Sequence, residues 1–414
     1  MIWPGGSETS DTGRTGAYVS DRWQVASRLT LLPGVRVDFG DGSIPGHESI
    51  FATAAVSPRI GAAFDVGADH RTVLRAHVGR YVDPVFAQRV ADADSSNWPQ
   101  LVMARVVGPN QFVELFRSGG QGGYVIDPDI RHSHVDEVIV GAERQIAARV
   151  SVQVQWVRRR FRDFMGLVDP GSRYSPVAKA DPGPDGVAGT ADDGGPLTVY
   201  ALQGSDGSPW LYTNPAGASR RYDAAQVVVR SAGTRFGQFQ ASYTWSKSEG
   251  NVGNQAGTNA GLGDLGSPGN YNNPNLLINA DGRLFYDPTH ELKLLGTSHI
   301  PLWGGMNVSA VYRYVTGNPW CRLVRVTGLP QGSSRVRVEP RGARRLDATN
   351  ILDLRIEQAL RVPGRGKVSL LLEALNLANF GAATSVTEMS GPNFGWPITW
   401  TDPRIARLAL RVTF

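Results

Sequence analysis

The sequence predicts an all-β protein, an antiparallel transmembrane β-barrel with long extracellular loops, over residues 1–414. Three observations carry this. Segments of about ten residues show two-residue alternation, the length that crosses a bilayer obliquely. Connections between them alternate between short and long. The last nine residues place Ala406, Leu408, Leu410, Val412 and Phe414 on one face, with Arg407, Ala409, Arg411 and Thr413 on the other, because strand side chains point alternately to opposite sides. A membrane strand must be apolar toward lipid, polar toward the lumen and paired along its edges, since hydrocarbon satisfies no backbone group. Most chain ends fray, whereas this one keeps its alternation to a terminal aromatic.

Bulk composition narrows the alternatives. A chain of 414 residues exceeds one ordinary soluble core of roughly 250–300 residues. With 41% hydrophobic and 19% charged residues it is not a disordered chain, and its 49 glycines exceed the usual share of about 7%, which favours turns over long helices. The formal charge is +5 without a Lys/Arg run, so no nucleic-acid partner is expected. Arginines instead alternate with apolar residues, as suits a wet lumen. The lone Cys321 permits no disulfide framework and reads as a small apolar residue beside Trp320. There is no apolar run of 18 residues and hence no transmembrane helix, which leaves a barrel open. Met1-Ile2-Trp3-Pro4-Gly5-Gly6-Ser7 has neither a basic n-region nor an apolar h-region, so no secretory leader is read there.

The elements follow in order as strand pairs. Gly16–Val25 and Leu29–Phe39 turn at Ala26-Ser27-Arg28, with Asp21 on the same face as Val19 and Trp23. Val56–Phe64 and Thr72–Tyr81 turn through Asp65 to His70; Pro58 is awkward in a central strand away from its end. A long irregular stretch from about Val82 to His134 leads to Val135–Gln145 and Arg149–Arg159. After a second long stretch come Tyr222–Arg230 and Gly237–Ser248. In the latter, Phe239, Ala241, Tyr243 and Trp245 alternate with Gln240, Ser242, Thr244 and Ser246. A loop over Glu249–Pro288 precedes Glu291–Ile300 and Met306–Thr316, joined at Pro301–Gly305. A loop of about thirty residues precedes Ile351–Val362 and Lys367–Asn379, and a last one precedes the terminal strand. Loops beyond about 15 residues are uncommon in compact soluble domains, and soluble strands average about five or six residues. Both facts favour the membrane.

Side chains of interest are few. Trp23, Phe39, Tyr81, Trp156, Phe161, Tyr243, Trp245, Trp303, Tyr312 and Tyr314 near strand ends fit interfacial girdles. In residues 181–195, Asp181, Asp185, Asp192 and Asp193 sit on a glycine-turned loop of the kind that offers calcium its oxygens, although the spacing is not an EF-hand's. The alternative is a plain solvated turn. His132-Ser133-His134 lacks a nearby third ligand and reads as polar loop. The sequence contains no His-Glu-x-x-His, Gly-x-Ser-x-Gly, P-loop or Cys-x-x-Cys motif, and no enzyme is expected.

Several stretches carry a family resemblance. They are Ala17–Val25 with Leu29–Arg36, Ser57–Phe64 with Thr72–Arg75 and Gly79-Arg80-Tyr81, Tyr243–Ser248, Glu373–Asn379, and the terminal strand. In this order they resemble the C-terminal barrel portion of TonB-dependent receptors, in the Oar-like branch that carries a carboxypeptidase-regulatory-like domain. The aspartate loop resembles one common in that branch. The resemblance implies uptake of a ligand bound by the outer loops, an N-terminal plug moved by TonB, and a terminal strand (Leu408, Leu410, Val412, Phe414) read by the barrel assembly machinery. It implies outer-membrane lipid and lipopolysaccharide as surroundings. About thirteen strands are read here, against about 22 in the family, and neither plug nor TonB-binding segment is recognised. The expectation is therefore strands ten to twenty-two of a parent receptor, with Met1 an internal start, inactive in isolation. A passive porin or adhesin barrel is the alternative function, and a soluble extracellular glycan-binding β-protein the second. No loop names a ligand, and no cofactor is expected beyond the calcium just described.

Overall fold

The computed structural model describes residues 10–413 apart from 68, 84, 86, 95–100, 109–110, 119–123, 235–236, 253–270, 302–304 and 362–365. Thirteen strands follow one another, edge to edge and antiparallel, in a single sheet. They are β1 (Asp11–Ser20, resumed at Trp23–Ala26), β2 (Leu29–Ile44), β3 (His47–Asp65), β4 (Thr72–Asp83), β5 (Ser133–Ala147), β6 (Val150–Arg162) and β7 (Arg220–Thr234). After these come β8 (Gly237–Gly250), β9 (His290–Ile300), β10 (Met306–Val315), β11 (Thr349–Arg361), β12 (Lys367–Leu375) and β13 (Ile405–Thr413). The two border strands are β1 and β13; among the described residues neither pairs beyond β2 or β12.

Register carries the alternation across the sheet. Ala142 lies level with Val154, Val154 with Val227, Val227 with Tyr243, Tyr243 with Leu292, and Leu292 with Tyr314. One residue along, the row reads Gln155, Gln226, Thr244, Glu291. Paired residues share a face, so one face is apolar and the other polar over the whole span. Val78, Val140, Val154, Leu372 and Leu408 are 43 to 71% exposed. A continuous bare apolar face of this extent has lipid as its natural cover.

Local irregularities have local causes. Asp21, which would break the apolar face, sits where β1 is interrupted: its N–H donates to the Pro33 carbonyl (3.1 Å) and its carboxylate accepts from Arg22 N–H (2.7 Å). Pro58 is tolerated because β4 pairs with β3 only from Arg59 onward, so the missing N–H falls where that edge is free. The stretch after Phe39 is not a loop. Here β2 and β3 continue as one long hairpin in which Asp38 pairs with Ala55 and Ile44 with His47. Gly40-Asp41-Gly42-Ser43 has poor strand propensity, and it is held by the partner strand instead. Tyr81 and Phe161 also depart from the girdle expectation, since they occupy the polar face, each capped by an arginine (Arg59 at 5.9 Å and Arg220 at 4.1 Å). Trp303 and Phe414 lie outside the described residues.

Five long connections leave one rim and fold. Between β4 and β5 stand a helix (Ala87–Ala93) and a hairpin of Leu101–Gly108 with Gln111–Ser118. Between β6 and β7, Ser172–Lys179 pairs with Leu197–Ser205; between β10 and β11, Leu323–Leu329 pairs with Gly332–Arg337. Two apolar clusters consolidate them. One gathers Phe51, Val90, Ile126, Ile130, Met165 and Tyr212, and the other joins Val199 and Ala201 to Val324, Val326, Leu329 and Val336. The expected irregular loops are thus a folded extracellular cap, built by packing between segments far apart in sequence. Cys321 is buried in it, as a small apolar residue would be.

Between β12 and β13 the chain reverses on Asn376 and Asn379, both left-handed (φ 48° and 52°), a conformation asparagine tolerates. Asn376 Nδ2 donates to the carbonyls of Phe380 and Asp402 (2.9 Å each), and its Oδ1 accepts from Phe380 N–H (2.9 Å). Asn376→Ala leaves these buried groups unpaired. The expected destabilisation is about 1–3 kcal/mol, read as a lower temperature for loss of heat-modifiable gel mobility, with Asn376→Gly recovering only the backbone part.

Candidate functional site

The lumen face is a ladder of ion pairs and amides. Near the cap, Arg59, Gly79, Glu137, Arg159 and Tyr222 form one level row across β3, β4, β5, β6 and β7. Arg159 donates to Glu137 (2.6 Å) and lies over the Tyr222 ring (5.7 Å), while His77 bonds the Tyr81 hydroxyl (2.7 Å). Gly79 is needed here, since a Cβ would come within 2.9 Å of His77 Nε2 and 3.3 Å of Arg59 Cβ. Further down, Gln153, Gln155, Gln226 and Thr244 are linked in series (3.1, 2.9 and 3.2 Å). Arg75 pairs with Glu143 (2.9 Å). A lumen-side cleft of about 400 Å³ is lined by Leu32, Arg75, His77, Glu143, Gln153 and Gln155. Toward the other border Arg355 bridges Glu357 and Glu373 (3.1 and 3.5 Å). Such a wall offers a polar solute successive hydrogen-bond partners in place of its hydration.

Not every alternating arginine faces this lumen. Arg158 and Arg160 share the face of Trp156, and Arg221 that of Val227, beyond the upper limit of the apolar belt. Strand parity alone sends them outward, whereas Arg59, Arg75, Arg159, Arg230, Arg355, Arg407 and Arg411 face the lumen.

Each of the four aspartates in the loop already accepts hydrogen bonds. Asp181 is buried and clasped by the Arg322 guanidinium through two bonds (2.8 and 2.6 Å), and it accepts from Gly183 N–H (3.1 Å). Asp192 accepts from Asp185 N–H (3.2 Å) and Thr190 Oγ1 (2.5 Å), which holds its carboxyl below the usual range. Asp193 accepts from Gly189 N–H (2.6 Å), and Asp185 from Val187 N–H (2.8 Å). No group of three or more His, Cys, Asp or Glu among the described residues is placed to hold a metal ion. A calcium ion there would compete for oxygens that already accept donors. Sequence spacing showed neither Arg322 nor its contact, because 141 residues separate the partners.

His132 and His134 part company. His134 Nδ1 faces Asp163 (3.3 Å), whereas His132 is buried beneath the cap against Gly40, with neither ring nitrogen hydrogen-bonded among the described residues. Burial pushes the His132 pKa down. Above about pH 6.5 the ring is neutral in both folded and unfolded chains. Below it the unfolded chain takes up a proton that the folded one resists, so stability falls on acidification. Protection factors around Gly40 and Ser133, corrected for the intrinsic pH dependence of amide exchange, should fall between pH 7 and pH 5, and His132→Phe should flatten that dependence.

The terminal strand is placed as its pattern requires. Leu408, Leu410 and Val412 lie level with Leu372, Leu370 and Val368 on the apolar face, all but Val368 well exposed.

A bare apolar belt, a polar laddered lumen and a folded cap on one rim define a membrane β-barrel. The chain belongs to the outer membrane beta barrel domain family, which matches residues 52–320. It is similar to the TonB-dependent transporter Oar of Myxococcus xanthus, with 27% identity over 90% of this chain and 36% of that protein. Among solved structures it shares its fold with the outer-membrane transporter YddB of Escherichia coli (TM-score 0.57, 14% identity, 97% of this chain and 45% of that one). It also shares it with the ferric-catecholate import receptor Fiu of E. coli K12 (TM-score 0.54, 12% identity, 98% and 45%). The chain thus spans about a third of Oar and under half of these transporters. It is an outer-membrane β-barrel similar to TonB-dependent transporters.

Proposed function

We propose that these thirteen strands form the ligand-facing wall of a TonB-dependent receptor, which passes a polar ligand from the cap down the lumen ladder. The observation that supports this most directly is the lumen face itself: paired guanidiniums, carboxylates and amides run from the Arg59–Tyr222 row to the Gln153–Thr244 chain. In this reading the bare edges of β1 and β13 pair with further strands to close a barrel of about 22. The thirteen strands do not transport alone, because uptake requires a plug and its pull by TonB.

Depletion of small molecules from the medium, compared between wild-type cells and strains lacking this locus or TonB, tests the proposal. The two deletions should spare the same compounds. Uptake that persists without TonB, together with an open-channel conductance in planar bilayers, would establish the passive porin instead.

A further inference from the structure

We propose that the lumen cleft between β2 and β6 is a binding site for a neutral, hydroxyl-rich ligand of the saccharide type. The inference rests on the reading of the lumen as the ligand's path, and it names the class of ligand that this wall accepts.

Register makes the cleft. Leu32, Gly61, His77 and Ile139 form one level row across β2, β3, β4 and β5. Two residues nearer the short turns, Ala63, Arg75, Gly141 and Gln155 form the next lumen row. Gly61, Ala63 and Gly141 bring little bulk to this part of the wall, so a recess of about 400 Å³ remains, within the roughly 300–1,000 Å³ of small-molecule sites. Its floor is apolar, with Leu32 (44% exposed) and Ile139 flanking the small residues.

The rim is polar and electrically matched. Arg75 pairs with Glu143 (2.9 Å), and the His77 ring is bonded to the Tyr81 hydroxyl (2.7 Å). An ionic ligand therefore meets no lone opposite charge among the described residues that line the cleft. What the rim does offer is amides. Gln153 Nε2 donates to Gln155 (3.1 Å), Gln155 to Gln226 (2.9 Å) and Gln226 to Thr244 (3.2 Å), while Arg230 donates to Gln153 (3.1 Å).

A carboxamide has two N–H donors and two oxygen lone pairs. Gln155 spends one of each on this chain and keeps one of each for a ligand. A donor beside an acceptor fits a hydroxyl group, which both donates and accepts. A carboxylate or phosphate would set like charge against the amide oxygens, and an ammonium would leave the N–H groups unmatched, each at the cost of a polar group without its partner. A pyranose ring also answers the floor, since it carries hydroxyls around its edge and C–H groups on its faces, which Leu32 and Ile139 remove from water. A linear peptide shares the donors and acceptors but adds charged termini that find no partner here.

The test uses the full chain in mild detergent, with heat-modifiable mobility as the folding control. Saturation-transfer NMR measures binding of three neutral trisaccharides, maltotriose, cellotriose and mannotriose, with trialanine and citrate as the zwitterionic and anionic comparisons. At least one trisaccharide should bind at least tenfold more tightly than trialanine and citrate. Gly61→Phe should lower that affinity at least tenfold by filling the recess; the position tolerates a side chain, because a Cβ there has Leu32 as its nearest neighbour at 3.5 Å. The variant Q153L/Q155L should lose at least tenfold as well, and Ser309→Ala, on the lumen face of β10, should lose nothing. If Q153L/Q155L does not fold, Gly61→Phe decides alone. No binding of any trisaccharide, equal or tighter binding of citrate or trialanine, or unchanged affinity in Gly61→Phe would each overturn the proposal. Dependence of uptake on TonB judges the receptor reading separately. A TonB-dependent compound that proves to be a charged chelate would keep the receptor and remove the saccharide site, whereas trisaccharide binding with TonB-independent uptake would keep the site and remove the receptor.

Discussion

Arg322→Ala should destabilise the extracellular cap by about 3–5 kcal/mol, the usual cost of stranding one partner of a buried ion pair. Asp181 is 4% and Arg322 8% exposed, and the two bonds between them are 2.8 and 2.6 Å long. Arg322 also donates to Ser390 Oγ (3.0 Å), and its backbone N–H donates to Glu339 (2.6 Å). One guanidinium thus ties the aspartate loop to the segment before β13. Without it Asp181 becomes an unpaired buried charge, and hydrogen exchange across Ser172–Lys179 and Leu323–Leu329 should rise by two orders of magnitude or more. The apolar pair Asp181→Leu with Arg322→Met should recover much of the loss, because the desolvation cost disappears together with the attraction. If Arg322→Ala exchanges like the wild type, the bridge does not hold the cap.

Leu410→Arg should cost about 2–4 kcal/mol, the penalty for a cation on the lipid face near the bilayer midplane. Its neighbour Ala409→Arg should cost almost nothing. Leu410 is level with Leu370 and 66% exposed on the apolar face, whereas Ala409 shares the lumen face with Arg407 and Arg411. Outer-membrane yield and heat-modifiable mobility of the two variants read the difference. Equal losses would mean that the faces are assigned wrongly, and with them the whole membrane orientation.

Strand number and facing are local properties, and alternation displays them. Phe239, Ala241, Tyr243 and Trp245 show their common side without any partner, and the thirteen strands read from such segments are the thirteen in the sheet. The alternation failed where a partner strand overrode it. Gly40–Ser43 has the composition of a loop, but Gly40, Asp41 and Gly42 pair with Thr53, Ala52 and Phe51. Tyr81 and Phe161 have the aromatic identity of girdle residues, but their parity places them on the polar face.

The sequence by itself therefore determined an outer-membrane barrel wall, its faces and the rim that bears the long connections. Period-two patterning is written within each ten-residue segment and survives any neighbour. Tertiary structure alone decided that the connections fold into a cap, that the Asp181 carboxylate is clasped by Arg322, and that Arg80, Arg158, Arg160 and Arg162 gather on Asp136 and Asp223 on the outer face. Those contacts join residues far apart in the chain, where no periodicity marks the partner and only the register of adjacent strands or the closing of a loop brings the charges together.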